Sequence, residues 1–395
     1  MAARRSATRG VPIATLRAVV IPAVPSAESL LAVLEGVVDG RLSGVLPLPA
    51  DDREAEHLAA ALRVDEEIDD DVAVVVSTSG TTGTPKGAML TTPALVASAD
   101  ASHERLGGPG AWLLALPAHH VAGLQVVIRS VIAGTVPTVL HPGFDAAALP
   151  AAIDAMESGR RYASLVAVQL DKVLADPAAT AALATLDAVL IGGGPLPAGI
   201  AERARVAGIA VVRTYGMSET AGGCVYDGVP LEGVTVRLDD AGRVHLGGPT
   251  VAKGYRNPTT PDPFDEPGWF RTDDVGALDD AGRLRILGRI DDAIGTGGLT
   301  VLPSVVEAAL ADHPAIADAA VFGVDDDRLG QRVAVAVVLA TGAAAPTPAE
   351  LREHVTRTLD ATAAPREVHV VAELPRRGIG KVDRRKLTER FTGGA

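Results

Sequence analysis

The sequence has one cysteine, Cys224, in 395 residues. A lone cysteine excludes an intrachain disulfide and a cysteine metal cluster, and a reducing cytoplasm is the expected location. Positive charge is also short: 36 Lys and Arg stand against 49 Asp and Glu, a formal net charge of −13. That balance disfavours nucleic acid or an anionic membrane as a partner, so any basic site must be local. No clean hydrophobic run is present. The long stretch without formal charge, residues 110–128, holds Pro117, His119, His120 and Gln125, which a bilayer span would bury unpaired. It reads as the core of a soluble protein. Export is not expected either, because Arg9 and Arg17 interrupt the short apolar segment near the N-terminus. Repeats and long low-complexity tails are absent.

What is present is enough chain for two or three domains, with 47% apolar residues. Short β-rich runs at residues 16–24, 72–76, 112–116, 136–140, 162–168, 188–191 and 211–214 alternate with helical stretches. Those stretches include one capped by Ser26 and others over residues 52–63, 147–158 and 196–207. This predicts an α/β body with largely parallel sheets. Residues 65–71 are acidic and read as a solvated turn, and residues 88–95 are compatible with a helix. From Gly228 the pattern changes to short strands with Asp-Gly-type turns, a small β-rich subdomain. Residues from Asp291 onward read as a separate α/β unit.

The stretch Ser77-Thr78-Ser79-Gly80-Thr81-Thr82-Gly83-Thr84-Pro85-Lys86-Gly87 follows a β-branched run. It can surround phosphate oxygens with backbone N–H groups and hydroxyls, and Lys86 adds a point charge. The common nucleotide loop places Ser or Thr after its lysine; here Gly87 follows, so a different phosphate loop is implied. His119 and His120 are either satisfied core histidines or ligand-facing. Arg129, inside an apolar run, wants a carboxylate, in a structural ion pair or in a second carboxylate of a substrate. Gly192-Gly193-Gly194-Pro195, after a strand, is a tight turn or a flat ligand-binding surface. The five cations between Arg376 and Arg385 are a solvated face or part of a site.

These segments, in this order, resemble the adenylate-forming superfamily of acyl-CoA synthetases, peptide-synthetase adenylation domains and luciferases. The resemblance implies a large N-terminal domain, residues 1–289, binding ATP and the acyl substrate, and a small mobile α/β domain, residues 290–395. It implies that Thr78, Ser79, Gly80, Thr81, Thr82, Gly83 and Lys86 hold the ATP phosphates, and that Gly192, Gly193, Gly194 and Pro195 form the adenine wall. Tyr215, Gly216, Met217 and Ser218 also line the nucleotide, with Gly216 and Ser218 facing the acyl group beside His120 and Arg129. Glu219 would bind Mg²⁺, Asp274 the ribose and Arg289 the ribose or phosphate. Trp269 to Asp274 departs from the family by carrying Asp273 where glycine is usual. Gly247 to Tyr255 matches a further family segment. Asp291 is the implied hinge, Gly297 and Gly298 the walls of a CoA channel, and Lys381 the catalytic lysine, with His120 and Glu219 completing the catalytic set.

Within the superfamily, the chain resembles the o-succinylbenzoate-CoA ligases of menaquinone biosynthesis, actinobacterial forms especially. That implies Mg²⁺, ATP, CoA and a small carboxylate as the molecules handled, and it leaves self-association into a homo-oligomer open. Another aryl- or acyl-CoA ligase, a non-catalytic nucleotide sensor and a kinase are the alternatives. Pyrophosphate release separates the ligases from the last two.

Overall fold

The computed structural model describes residues 13–22, 26–78, 84–140, 143–377 and 381–392. Contacts divide the chain into two units, Met1–Arg237 with Leu246–Arg271, and Leu238–His245 with Thr272–Ala395. The division expected after residue 289 falls inside the second of these.

In the first unit a seven-stranded sheet is ordered Val229–Pro230, Gly222–Tyr226, Val211–Met217, Ala188–Gly192, Arg161–Val166, Ala111–Leu114, Thr138–Val139. Its last five strands are mutually parallel. Parallel neighbours need crossover connections, and the helices between them supply these, as the alternation in the sequence requires. A second sheet runs Gly254–Tyr255, Ala88–Thr91, Val72–Val76, Val45–Leu48, Arg17–Val20. Helices Ala27–Val38, Thr92–Leu106 and Val121–Ala133 share one apolar core with both sheets, through Leu34, Leu95, Val127, Trp112 and Val74. Within Val121–Ala133 every residue from Gly123 to Ser130 is buried, which is why that stretch is so apolar.

Two local expectations are corrected. Residues 88–91 form a strand, Ala88–Thr91, antiparallel to Val72–Val76, and the helix starts only at Thr92. Ala, Met and Leu favour helices when isolated, but pairing along a fully buried neighbour overrides that preference. The acidic segment is not merely a solvated turn, because Glu67–Asp69 pairs antiparallel with Ile13–Thr15. Lys253 Nζ lies 2.7 Å from both Asp69 and Asp71 and offsets their charge.

The second unit is built on a sheet ordered Leu299–Val301, Ile294–Thr296, Gly330–Leu339, Ile316–Asp326, with Glu367–Val370 parallel to Gly330–Leu339. Alternate side chains of Gly330–Leu339 serve two cores, as the period of a strand requires. Val333, Val335 and Val337 pack with helices Pro303–Leu310 and Pro348–Val355. Ala334 and Ala336 pack with Phe322 and Leu387, the latter in helix Arg384–Thr392. The Asp-Gly-type turns form as read: Asp239 and Asp279 each accept backbone N–H groups across a hairpin. Among the described residues no helix is long and apolar enough to cross a membrane.

Candidate functional site

The Ser/Thr/Gly stretch joins two strands, Val72–Val76 and Ala88–Thr91, that pair antiparallel. Ser79, Gly80, Thr81, Thr82 and Gly83 lie outside the described residues. At the entry, Thr78 Oγ1 is buried with no partner among the described residues. At the exit the backbone is fastened. Asn257 N donates to Lys86 O at 2.9 Å and Arg256 N to Gly87 O at 2.8 Å, while Asn257 Nδ2 reaches Pro85 O at 2.8 Å. Gly87 has φ of +72°, and a Cβ there would lie 2.6 Å from Leu62 Cδ2. Only glycine fits that left-handed, crowded position. Lys86 Nζ lies 5.2 Å from the centre of the Tyr255 ring.

Strands Ala188–Gly192 and Val211–Met217 are parallel neighbours, so Gly192 to Pro195 and Tyr215 to Ser218 emerge together at their C-terminal ends. Crevices at such strand ends are the usual ligand sites of open α/β sheets. A Cβ on Gly192 would stand 2.4 Å from Thr214 Oγ1, whereas one on Gly194 would meet open space. Gly216 is fixed by close approach: a Cβ there would sit 2.1 Å from Gly222 O. The chain then turns through Ser218–Thr220, where Met217 N donates to Thr220 Oγ1 at 3.0 Å. Glu219 is buried in this turn, and Tyr255 Oη donates to its Oε1 at 2.6 Å. One buried carboxylate is a fit for Mg²⁺, which takes one or two carboxylates and completes its octahedron with phosphate oxygens and water. No cluster of three or more His, Cys, Asp or Glu suited to a resident metal occurs among the described residues.

His120, expected from the sequence to border the acyl group, is the N-cap residue of helix Val121–Ala133, and its ring centre is 4.3 Å from that of His119. Burial pushes both below the usual histidine range. His119 goes to about 4, with His120 adding to the effect, while Glu54 partly opposes the shift of His120. Both rings are therefore neutral at pH 7.

Arg129, on the same helix, is 3% exposed. No carboxylate pairs with it among the described residues. Its guanidinium lies 4.9 Å from the Trp112 ring centre, Nη2 donates to Tyr226 Oη at 3.3 Å, and Nε has no described partner. Tyr226 Oη in turn meets Ser102 Oγ at 2.9 Å. Trp112 Nε1 donates to His103 Nε2 at 3.4 Å. Burial, then the charge of Arg129, lowers the His103 pKa to about 4, so the cation has a neutral neighbour. Of the two readings of Arg129, the structural ion pair is not seen. Tyr226 pairs with Thr214 and Tyr215 with Val225, so Tyr226, which Arg129 bonds, faces the side of the sheet opposite to Tyr215.

In the second unit Asp274 is buried, and its N–H donates to Thr272 Oγ1 at 3.0 Å. Asp273 is half-exposed and faces Arg243 at 3.4 Å and Arg289 at 3.6 Å. Arg289 grips Asp291 with two hydrogen bonds, of 2.7 and 2.9 Å, and lies 3.6 Å from Asp274. Those hydrogen bonds and three carboxylates hold its proton more tightly than usual. Gly297 and Gly298 have φ of +58° and +83° and form the two-residue turn between Ile294–Thr296 and Leu299–Val301. That turn demands glycine for its own sake. Lys381 pairs with Arg377 in a short hairpin. The intervening Gly378 to Gly380, and the side chain of Lys381, lie outside the described residues.

Tyr255 received no role from the sequence although it lies in a segment that matched. The available signal was its place after Lys253-Gly254 in that segment, but its bond to Glu219 joins residues 36 positions apart and is invisible locally.

Comparison with known proteins agrees with this geometry. The AMP-binding enzyme family matches residues 14–256, and the AMP-binding enzyme C-terminal domain matches residues 305–381. A probable 2-succinylbenzoate--CoA ligase of Mycobacterium tuberculosis is 62% identical over 384 residues, 96% of this chain and 100% of that protein. The 2-succinylbenzoate--CoA ligase of Geobacillus kaustophilus is 36% identical, over 80% of this chain and 69% of that one. Among solved structures, o-succinylbenzoate CoA synthetase from Bacillus subtilis in complex with its acyl-adenylate intermediate superposes with a TM-score of 0.75. It is 27% identical and the match covers 94% of this chain and 88% of that one. The same enzyme in complex with ATP and magnesium ion gives a TM-score of 0.76 at 26% identity.

Proposed function

The chain belongs to the AMP-binding enzyme family, and from that premise we propose that it joins 2-succinylbenzoate to coenzyme A, a step of menaquinone biosynthesis in the cytoplasm. The near full-length likeness to the mycobacterial ligase carries this choice of substrate. The buried, carboxylate-free Arg129 supports it physically, because the substrate is a dicarboxylate and only one of its carboxylates is activated.

In the first half-reaction a carboxylate oxygen of the substrate attacks the α-phosphorus of ATP. The bond from the α-phosphorus to the bridging oxygen breaks, pyrophosphate leaves and an acyl adenylate remains. Two anions must approach, so neutralising charge is the main requirement. Lys86 and the loop around it hold the β- and γ-phosphates, the part that departs. Glu219 would hold the Mg²⁺ that accompanies ATP, and the ion would further neutralise phosphate charge. Lys381 offsets the charge that develops between carboxylate and α-phosphate. The adenine lies between Gly192 to Pro195 and Tyr215, and Asp274, ordered by Thr272, accepts from the ribose hydroxyls. Neutral His120 borders the acyl group without adding charge, and Arg129 takes the carboxylate that is not activated.

In the second half-reaction the CoA sulfur attacks the acyl carbon, the acyl–oxygen bond breaks and AMP leaves. Residues 290–395 form the mobile domain: rotation at Asp291 withdraws Lys381 and brings Gly297 and Gly298 to the pantetheine path. A carboxylate panel that includes 2-succinylbenzoate, scored for pyrophosphate with and without CoA, tests the reading. The expected result is highest kcat/KM with 2-succinylbenzoate; preference for a monocarboxylate, or ADP as product, overturns it.

A further inference from the structure

Segment 252–257 touches both charged partners assigned to the ATP phosphates. Ala252 N donates to Glu219 O at 2.8 Å, Lys253 N to Met89 O at 2.9 Å, and Arg256 and Asn257 fasten the backbone of Gly87 and Lys86. In the middle, Tyr255 pairs across the strand with Ala88. Its ring is 8% exposed and stands edge-on to Phe264, centres 5.2 Å apart. One end of this fixed ring donates a 2.6 Å hydrogen bond to the Glu219 carboxylate, and Lys86 Nζ lies 5.2 Å from its centre. A short O–H···O⁻ bond is charge-assisted and directional, and a cation within about 6 Å of an aromatic centre is attracted to the ring.

We propose that Tyr255 is a positioning residue for adenylate formation, setting the Glu219 carboxylate for Mg²⁺ with its hydroxyl and seating the Lys86 ammonium with its ring. The proposal rests on the roles given above to Glu219 and Lys86. It explains why a tyrosine, and not a phenylalanine, packs against Phe264: the ring alone would fill the space, but only the hydroxyl reaches the carboxylate.

Tyr255→Phe keeps the ring and removes the hydroxyl. Calorimetric titration of ATP with Mg²⁺ and with EDTA is the direct readout, run on wild type, Tyr255→Phe, Glu219→Gln and the double variant. The expected pattern is about tenfold weaker binding of Mg·ATP by Tyr255→Phe, the scale of one charge-assisted hydrogen bond. Binding in EDTA stays within about twofold, and no further loss appears when Tyr255→Phe is added to Glu219→Gln. CoA attack on supplied acyl adenylate stays at the wild-type rate. Equal weakening with and without Mg²⁺ makes Tyr255 merely structural and overturns the proposal, as does full additivity in the double variant. Should Glu219→Gln bind Mg·ATP like wild type, the reading of Glu219 fails first and the role of Tyr255 falls with it. For a Tyr255→Phe of low stability, the same titrations run well below its melting temperature decide: a loss confined to Mg·ATP supports the proposal and an equal loss in EDTA refutes it.

Discussion

Replacing Arg129 by methionine tests the acyl site most sharply, because the structure gives the cation no carboxylate of its own among the described residues. The guanidinium is 3% exposed, stacked 4.9 Å from the Trp112 ring centre, with one 3.3 Å bond to Tyr226 and a buried Nε that has no described partner. A buried charge in that state has lost hydration without gaining an ion pair. A substrate carboxylate arriving there, as proposed, would recover the deficit. Removing one member of a buried, hydrogen-bonded charge pair costs about 2–5 kcal/mol in complexes; since the apo-protein is relieved of an unpaired cation, the low end applies. About 2–3 kcal/mol corresponds to a loss of roughly 30- to 150-fold in kcat/KM, by the rule of one decade per 1.4 kcal/mol. The loss should fall on KM, since the distal carboxylate is bound alike before and during the chemical step. The assay is steady-state pyrophosphate release with 2-succinylbenzoate and with an analogue lacking the non-activated carboxylate. Arg129→Met should be poor only with the dicarboxylate, and should melt no lower than wild type. A wild-type KM for the dicarboxylate, or equal losses on both substrates, would refute the assignment.

Lys381→Ala should lower adenylation by roughly 10²- to 10³-fold, the scale of a lost electrostatic contact to a developing charge, yet largely keep thioester formation from supplied acyl adenylate. Equal loss in both steps contradicts the two-state arrangement. Lys86→Ala should weaken ATP use, seen as a higher KM for ATP, and leave CoA attack on preformed adenylate unchanged; slowing of that second step breaks the division of labour between the two lysines. His103 and His119 are held neutral in the fold, with pKa values of about 4 against an ordinary 6.5. The unfolded chain therefore binds more protons below pH 6.5, and stability should be full above that value and decline as pH falls toward 4. Thermal melts from pH 7.5 to 5 check this, and a melting temperature that is flat or rises on acidification counts against the burial of the two rings.

The parts legible in the sequence were those in which chemistry and spacing lie close together. Gly192 to Pro195 and Tyr215 to Glu219 were each readable as segments, and the sheet brings them out at neighbouring strand ends because parallel strands align their termini. Where partners come from distant chain, local reading failed. Residues 88–91 look helical alone and become a strand through Val72–Val76. The acidic residues 67–69 look solvated, and their strand depends on Ile13–Thr15 and on Lys253, 184 positions from Asp69. Arg129 announced that it needed a partner but not that Trp112 and Tyr226 would be the neighbours. Tyr255 carried no local sign of Glu219 at all.

Product analysis of a single reaction containing the purified chain, Mg·ATP, 2-succinylbenzoate and CoA decides whether the chain is an AMP-forming ligase. One thioester, one AMP and one pyrophosphate should form per turnover, with acyl adenylate accumulating when CoA is withheld. ADP with an acyl phosphate, or ATP binding with no pyrophosphate released, would contradict that reading.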